Sequence, residues 1–146
     1  MIVVVISTAV VLYTRTDRKH ITVESFSYEG GVANLIADNV AITALHCVIN
    51  PNDILYKDDD RDVAIIQTDR RFSEVAVTYN LKLSKEPSMH TDVSILPGDS
   101  GQIYIENDTV YGIKLGYNSD GGLVATITED LYKIMCKYIE RNDVDE

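Results

Sequence analysis

Apolar and polar positions alternate along this chain in short runs rather than at helical spacing. Runs rich in β-branched and aromatic residues cover 2–13, 20–26, 32–36, 40–44, 54–56 and 62–67, and a second series covers 75–79, 92–96, 102–106, 109–115 and 123–127. Turn-forming groups separate them: Glu29-Gly30-Gly31, Asp38-Asn39, Asn50-Pro51-Asn52 and the acidic loop Asp58-Asp59-Asp60. So many short strands predict an all-β barrel or sandwich. After Thr128 the period changes, and Leu131, Ile134, Met135 and Tyr138 recur on one helical face. The pattern predicts a helix from Glu129 to about Arg141, capped by Thr128 and packed on the sheet. Residues 69–73 are the best connection between the two series.

Length and charge narrow the classes. The 146 residues suffice for one ordinary domain or two very small packed halves, and 45% apolar with 25% charged residues is a globular composition. The formal charge of −10, spread along the chain without a basic patch, argues against nucleic acid as a partner. Segment 1–12 is apolar, but it lacks a basic start and is too short to cross a bilayer, so no membrane is expected. Its β-branched residues predict a buried strand, with a targeting or interfacial segment as the competing reading. Cys47 and Cys136 are too few and too far apart for a disulfide framework or a zinc site, which fits a reducing, intracellular setting.

Three segments carry candidate chemistry. In Pro97-Gly98-Asp99-Ser100-Gly101, glycines around a serine permit positive φ, which gathers backbone N–H groups into one concavity beside the hydroxyl. Acyl transfer needs such donors where negative charge develops on a carbonyl oxygen. A serine nucleophile also needs a base. His46 follows the apolar run 40–45, where a buried strand delivers it to a rigid rim, while His20 and His90 sit among charged or turn-forming residues. The base needs a carboxylate to fix its tautomer, and Asp62 stands at the mouth of the apolar run 63–66. Asp58, Asp59 and Asp60 read as a solvated loop, since the glycine and distant glutamate of a calcium-binding EF-hand loop are missing.

Together, Thr43-Ala44-Leu45-His46-Cys47, Asp62-Val63-Ala64-Ile65 and Gly98-Asp99-Ser100-Gly101 resemble the histidine, aspartate and serine motifs of the trypsin and chymotrypsin superfamily, in that family's order. Tyr111-Gly112-Ile113-Lys114-Leu115-Gly116-Tyr117, followed by Gly121-Gly122-Leu123-Val124, is similar to the pocket strand and closing hairpin of compact viral main proteases, those of arteriviruses in particular. The resemblance runs from about 32 to 127. It implies a trimmed chymotrypsin-like double β-barrel: 1–70 as the barrel half with His46 and Asp62, 71–127 as the half with Ser100, and 128–146 as C-terminal helix and tail.

The implied activity is that of a serine endopeptidase on peptide or polyprotein substrates, in the host cytoplasm if viral. His46, Asp62 and Ser100 are catalytic, the N–H groups of Gly98 and Ser100 form the oxyanion hole, and no cofactor or metal takes part. Lys114, Leu115, Gly116, Ser94 and Thr91 bind substrate. Lys114 stands where those viral enzymes commonly carry a histidine, which implies an acidic, glutamate-like residue before the cleaved bond, with a solvated lysine on an exposed strand as the competing reading. Independently, period-2 alternation predicts Tyr111, Ile113 and Leu115 facing the core and Gly112, Lys114 and Gly116 an open face that admits a substrate strand.

Several positions depart from the family pattern. Cys47 has no cysteine nearby and is expected to be a buried free thiol. Asp99 has no evident activation peptide to supply a new N-terminus, which points to constitutive activity. Gln102-Ile103 replaces the usual small residue and proline, and His46 and Asp62 stand only 16 positions apart. These last two features motivate a rival, an inactive protease-fold module that binds a peptide or partner protein. A structural all-β protein with coincidental motifs is a second rival.

Overall fold

The computed structural model describes residues 19–118 and 121–144; the strand expected over 2–13 lies outside them. β-Branched runs form β1 (Lys19–Tyr28), β2 (Gly31–Ala37), β3 (Val40–Ala44), β4 (Ile54–Asp58) and β5 (Val63–Gln67), with alternating burial in β1 and β4. The second series forms β6 (Val77–Leu81), β7 (Ser88–Thr91), β8 (Ile103–Glu106), β9 (Thr109–Asn118) and β10 (Gly121–Thr126), followed by helix α1 (Glu129–Val144). No helix among the described residues is long and apolar enough to cross a membrane.

The strand predicted over 92–96 does not form. Thr91 Oγ1 accepts the N–H of Val93 at 3.2 Å and Asp99 Oδ2 accepts that of Leu96 at 3.1 Å. Such local side-chain bonds compete with a ladder, and here they hold 92–99 as a loop. The pairing strand lies upstream, where β7 joins β10.

The strands run β4-β5-β3-β2-β1-β6-β9-β10-β7, with β8 also paired to β9. The β6–β9 pair is parallel and the other pairs are antiparallel. Strand β1 serves two ladders, with Glu24 to Tyr28 on β2 and Lys19 to Val23 on β6. The described residues therefore form one curled ten-stranded mixed sheet, a half-barrel, and the double barrel that the resemblance implied is not shown among them. A barrel closes by pairing its first strand with its last. Sharing β1 joins the two series in one sheet, whose ends among the described residues are β4 and β7. Residues 68–76 carry no strand and lead from β5 across to β6.

The main core lies between the halves. Ile21, Val23, Ile42, Val63 and Ile65 from the first series meet Val110, Ile113 and Ile127 from the second under Leu131 and Met135 of α1, with Ile134 and Tyr138 packed alongside. Each such side chain contributes roughly 1.5–3 kcal/mol on burial. Alternate positions Ala41, Ala64 and Ile66 face a smaller cluster with Ala33 and Leu35, so β3 and β5 are buried on both faces. Thr128 caps α1 as predicted, its Oγ1 accepting the N–H of Leu131 at 3.3 Å. The same oxygen accepts from Arg61 Nη1 at 2.7 Å, which ties the helix start to the β4–β5 loop.

Two bulges re-aim β9. Opposite β8 the register skips Tyr111, and opposite β10 it skips Leu115. The simple alternation is thus corrected. Val110 and Ile113 enter the main core, whereas Tyr111 packs with Ile95, Tyr104 and Val124 on the other side. Leu115, at the second bulge, packs against the edge of the main core.

Candidate active site

Strand register brings His46 and Asp62 together. Ala44 pairs with Val63 at the end of the β3–β5 ladder, so the residue after β3 faces the residue before β5, and Leu45 N–H donates to the Asp62 carbonyl at 2.8 Å. A 3₁₀ turn over Leu45–Cys47, closed by Val48 N–H on the Leu45 carbonyl at 3.0 Å, then swings the imidazole over Asp62. On its side, Asp62 ends a tight loop that Asp58 organises: Asp58 Oδ1 accepts the N–H groups of Asp60 at 3.0 Å and Arg61 at 3.2 Å. Asp58 is thus a turn-builder that also holds Arg61 Nε at 3.4 Å, rather than a freely solvated side chain. The turn leaves Asp62 at φ 59°, a left-handed conformation that Asp tolerates better than most residues.

Asp62 engages His46 twice. Its Oδ1 accepts the backbone N–H of His46 at 2.8 Å, and Oδ2 hydrogen-bonds ring Nδ1. A carboxylate at Nδ1 favours the tautomer with the proton there, which leaves Nε2 as a proton acceptor. The side chains are 48% and 33% exposed, so the pair sits at a rim open to a reacting partner. It lines a cleft of about 400 Å³ with Asp60, Arg61, Leu115, Gly116, Tyr117 and Leu123.

Ser100 lies on the neighbouring wall. The turn before it has Gly98 at φ 95° and is closed by Asp99 N–H on the Leu96 carbonyl at 3.0 Å; Gly101, after it, has φ 94°. The Ser100 carbonyl accepts Val32 N–H at 2.8 Å, and Gly101 N–H donates to the Lys114 carbonyl at 2.7 Å, so the turn is docked on β2 and on β9. The N–H groups of Gly98 and Ser100 have no acceptor among the described residues. The Ser100 hydroxyl does not bond His46; it donates to the Leu115 carbonyl at 2.9 Å, the group at the β9 bulge. Its own cleft, about 510 Å³, shares Gly116 and Tyr117 with that of His46.

The remaining candidates divide. Ser94, Leu115 and Gly116 line these clefts, and a Cβ on Gly116 would meet nothing within 4 Å, so its face is open. Gly112 is not: a Cβ there would stand 2.0 Å from the Ala125 carbonyl oxygen, which makes it a packing glycine against β10. Lys114 and Thr91 line neither cleft. Lys114 Nζ donates to Gln102 Oε1 at 3.1 Å, and Thr91 Oγ1 meets Tyr104 Oη at 3.0 Å. Asp99 is occupied in its own turn.

Asn34 went unnoticed in the sequence, and it positions the serine turn. Fully buried on β2, its Nδ2 donates to the carbonyls of Ile42 at 2.9 Å and Gly101 at 2.6 Å, while Oδ1 accepts from Ser25 Oγ at 2.7 Å and Ile103 N–H at 3.2 Å. One side chain thus bonds both series around Ser100. The available signal was a lone polar residue inside the apolar run 32–36. Cys47 is a buried free thiol, donating to the Ser100 carbonyl at 3.4 Å, and burial above all pushes its pKa up. No group of three or more His, Cys, Asp or Glu among the described residues is arranged to hold a metal ion.

No protein-family model, curated protein or solved structure matches the chain.

Proposed function

We propose that the chain is a serine endopeptidase that cleaves peptides or polyprotein segments, built on a fused and trimmed version of the chymotrypsin architecture. The observation that carries the reading is Asp62 holding His46 at the rim of a cleft that shares Gly116 and Tyr117 with the cleft of Ser100. Beyond Lys114, β9 pairs among the described residues only with β10, so Leu115 to Tyr117 offer a strand edge beside Ser100 along which a substrate backbone can add.

In the mechanism, substrate binding turns the Ser100 hydroxyl away from the Leu115 carbonyl, a rotation between staggered side-chain states. The Ser100 oxygen then bonds to the peptide carbonyl carbon as its proton passes to His46 Nε2. Charge on the former carbonyl oxygen meets the N–H groups of Gly98 and Ser100. The C–N bond breaks, His46 returns its proton to the leaving amine, and water repeats the sequence to free the acid and restore the serine.

The bond from Ser100 to the Leu115 carbonyl favours a second reading, an inactive module that binds a peptide along the same edge. Labelling with a fluorophosphonate separates the two. Catalysis requires covalent modification of the native chain that Ser100→Ala abolishes, with peptide hydrolysis falling on the order of 10⁶-fold in that variant. Absence of labelling, with peptide binding intact, favours the module.

A further inference from the structure

The cleft beside Ser100 is neutral and apolar. Besides Ser100 its lining consists of Ser94, Ile95, Leu96, Pro97, Gly116 and Tyr117, and no charged side chain among the described residues contributes to it. Ile95, nearly buried, is shared with the apolar cluster of Tyr104 and Val124, so the wall is continuous with the protein interior. Leu96 and Tyr117 are 63% and 62% exposed, and two large apolar side chains left open at one cleft mark a surface that gains by being covered.

Resting on the endopeptidase reading, we infer that the residue before the cleaved bond is uncharged and apolar, of the leucine, methionine or phenylalanine class, and not acidic. A side chain attached to the carbonyl that Ser100 attacks has this cleft immediately beside it. An apolar one covers Leu96 and Tyr117 and rests on Ile95. A carboxylate there would lose water without a counter-charge, which is strongly unfavourable. The ammonium that the sequence offered for this task is elsewhere: Lys114 Nζ is held by Gln102, and the Lys114 backbone N–H and carbonyl are bonded to Gln102 and Gly101.

The test is cleavage of a peptide library that is randomised at every position, followed by kinetics on matched peptides differing only before the scissile bond. The expected result is kcat/KM for leucine, methionine or phenylalanine roughly tenfold to a hundredfold above glutamate, a span typical of hydrophobic-pocket discrimination. Ser94→Arg, which places a cation in the cleft, should raise the glutamate peptide relative to the leucine peptide. Ser100-dependent cleavage that favours glutamate or aspartate overturns the inference and leaves the endopeptidase standing. Loss of the leucine preference on Lys114→Gln, with Ser94→Arg silent, also overturns it. Lack of both cleavage and fluorophosphonate labelling refutes the endopeptidase reading itself, and the inference with it.

Discussion

Asp62 holds His46 through both carboxylate oxygens, one on the backbone N–H at 2.8 Å and one on ring Nδ1. The first bond fixes where the 3₁₀ turn starts, and the second fixes how the ring is oriented. Asp62→Asn separates charge from shape, because asparagine also tolerates the left-handed backbone that Asp62 adopts at φ 59°. Folding should therefore be kept. Turnover of a peptide substrate should fall by about 10⁴-fold, since an amide that donates to Nδ1 selects the wrong tautomer. Steady-state kinetics with a circular-dichroism melt on the same sample checks both parts; undiminished turnover would remove Asp62 from the mechanism.

Gly98 and Gly101 share a positive φ but not a neighbourhood. A Cβ on Gly101 would stand 2.1 Å from the Val32 carbonyl oxygen and 2.5 Å from Thr43 Oγ1, whereas one on Gly98 would meet nothing within 4 Å. Gly98→Ala should cost only backbone strain, about 1–3 kcal/mol. Gly101→Ala adds a collision with backbone and should lose more, about 3–5 kcal/mol. Urea unfolding of the two variants gives the comparison, and equal losses would mean that the contact between the serine turn and β2 is not tight.

Asn34 is the buried link between β2 and the serine turn. Asn34→Leu is close in size but strands the Gly101 carbonyl and the Ile103 N–H, which the native side chain satisfies. Each buried polar group left unpaired costs about 1–3 kcal/mol, so a loss of about 2–5 kcal/mol is expected. Asn34→Asp removes the Nδ2 donor while keeping the acceptor, and should weaken the Gly101 side in particular. Hydrogen exchange of the Gly101 and Gln102 amides reads that local loosening; exchange unchanged in both variants would leave Asn34 without a positioning role.

The parts of the site legible in the sequence were those encoded within a few residues. An apolar run ending at His46 and another beginning after Asp62 dictate a shared ladder, and that ladder places the two side chains together. Gly98 and Gly101 announced their positive φ by residue type. Features set by distant partners were not legible. The strand at Ser88–Thr91 is mostly polar and exists through pairing with β10, while 92–96 looked like a strand until Thr91 and Asp99 captured its backbone. Alternation put Lys114 on the side away from Ile113, but it could not tell that Gln102 already occupied that side. The double use of β1, which makes one sheet of two halves, depends on where two other strands dock and leaves no mark in its own residues.

Cys47 should behave as a hidden thiol with a pH signature. Burial raises its pKa above the ordinary value of 9.0, so the folded chain keeps this proton where the unfolded chain releases it. Above about pH 9 the native state then binds more protons than the unfolded state, and stability falls as pH rises. Tyr28, its pKa raised to about 12 from 10.0 mainly by burial and next by the charges of Glu29 and Asp53, adds a loss of the same sign between pH 10 and 12. Melting temperature followed from pH 8 to 11 should decline more gently in Cys47→Ala than in the native chain. Under native conditions iodoacetamide should modify the half-buried Cys136 well before Cys47, whose Sγ faces the Ser100 carbonyl. Equal rates at the two cysteines, or an unchanged pH profile in Cys47→Ala, would mean that the thiol is not enclosed between His46's turn and the serine.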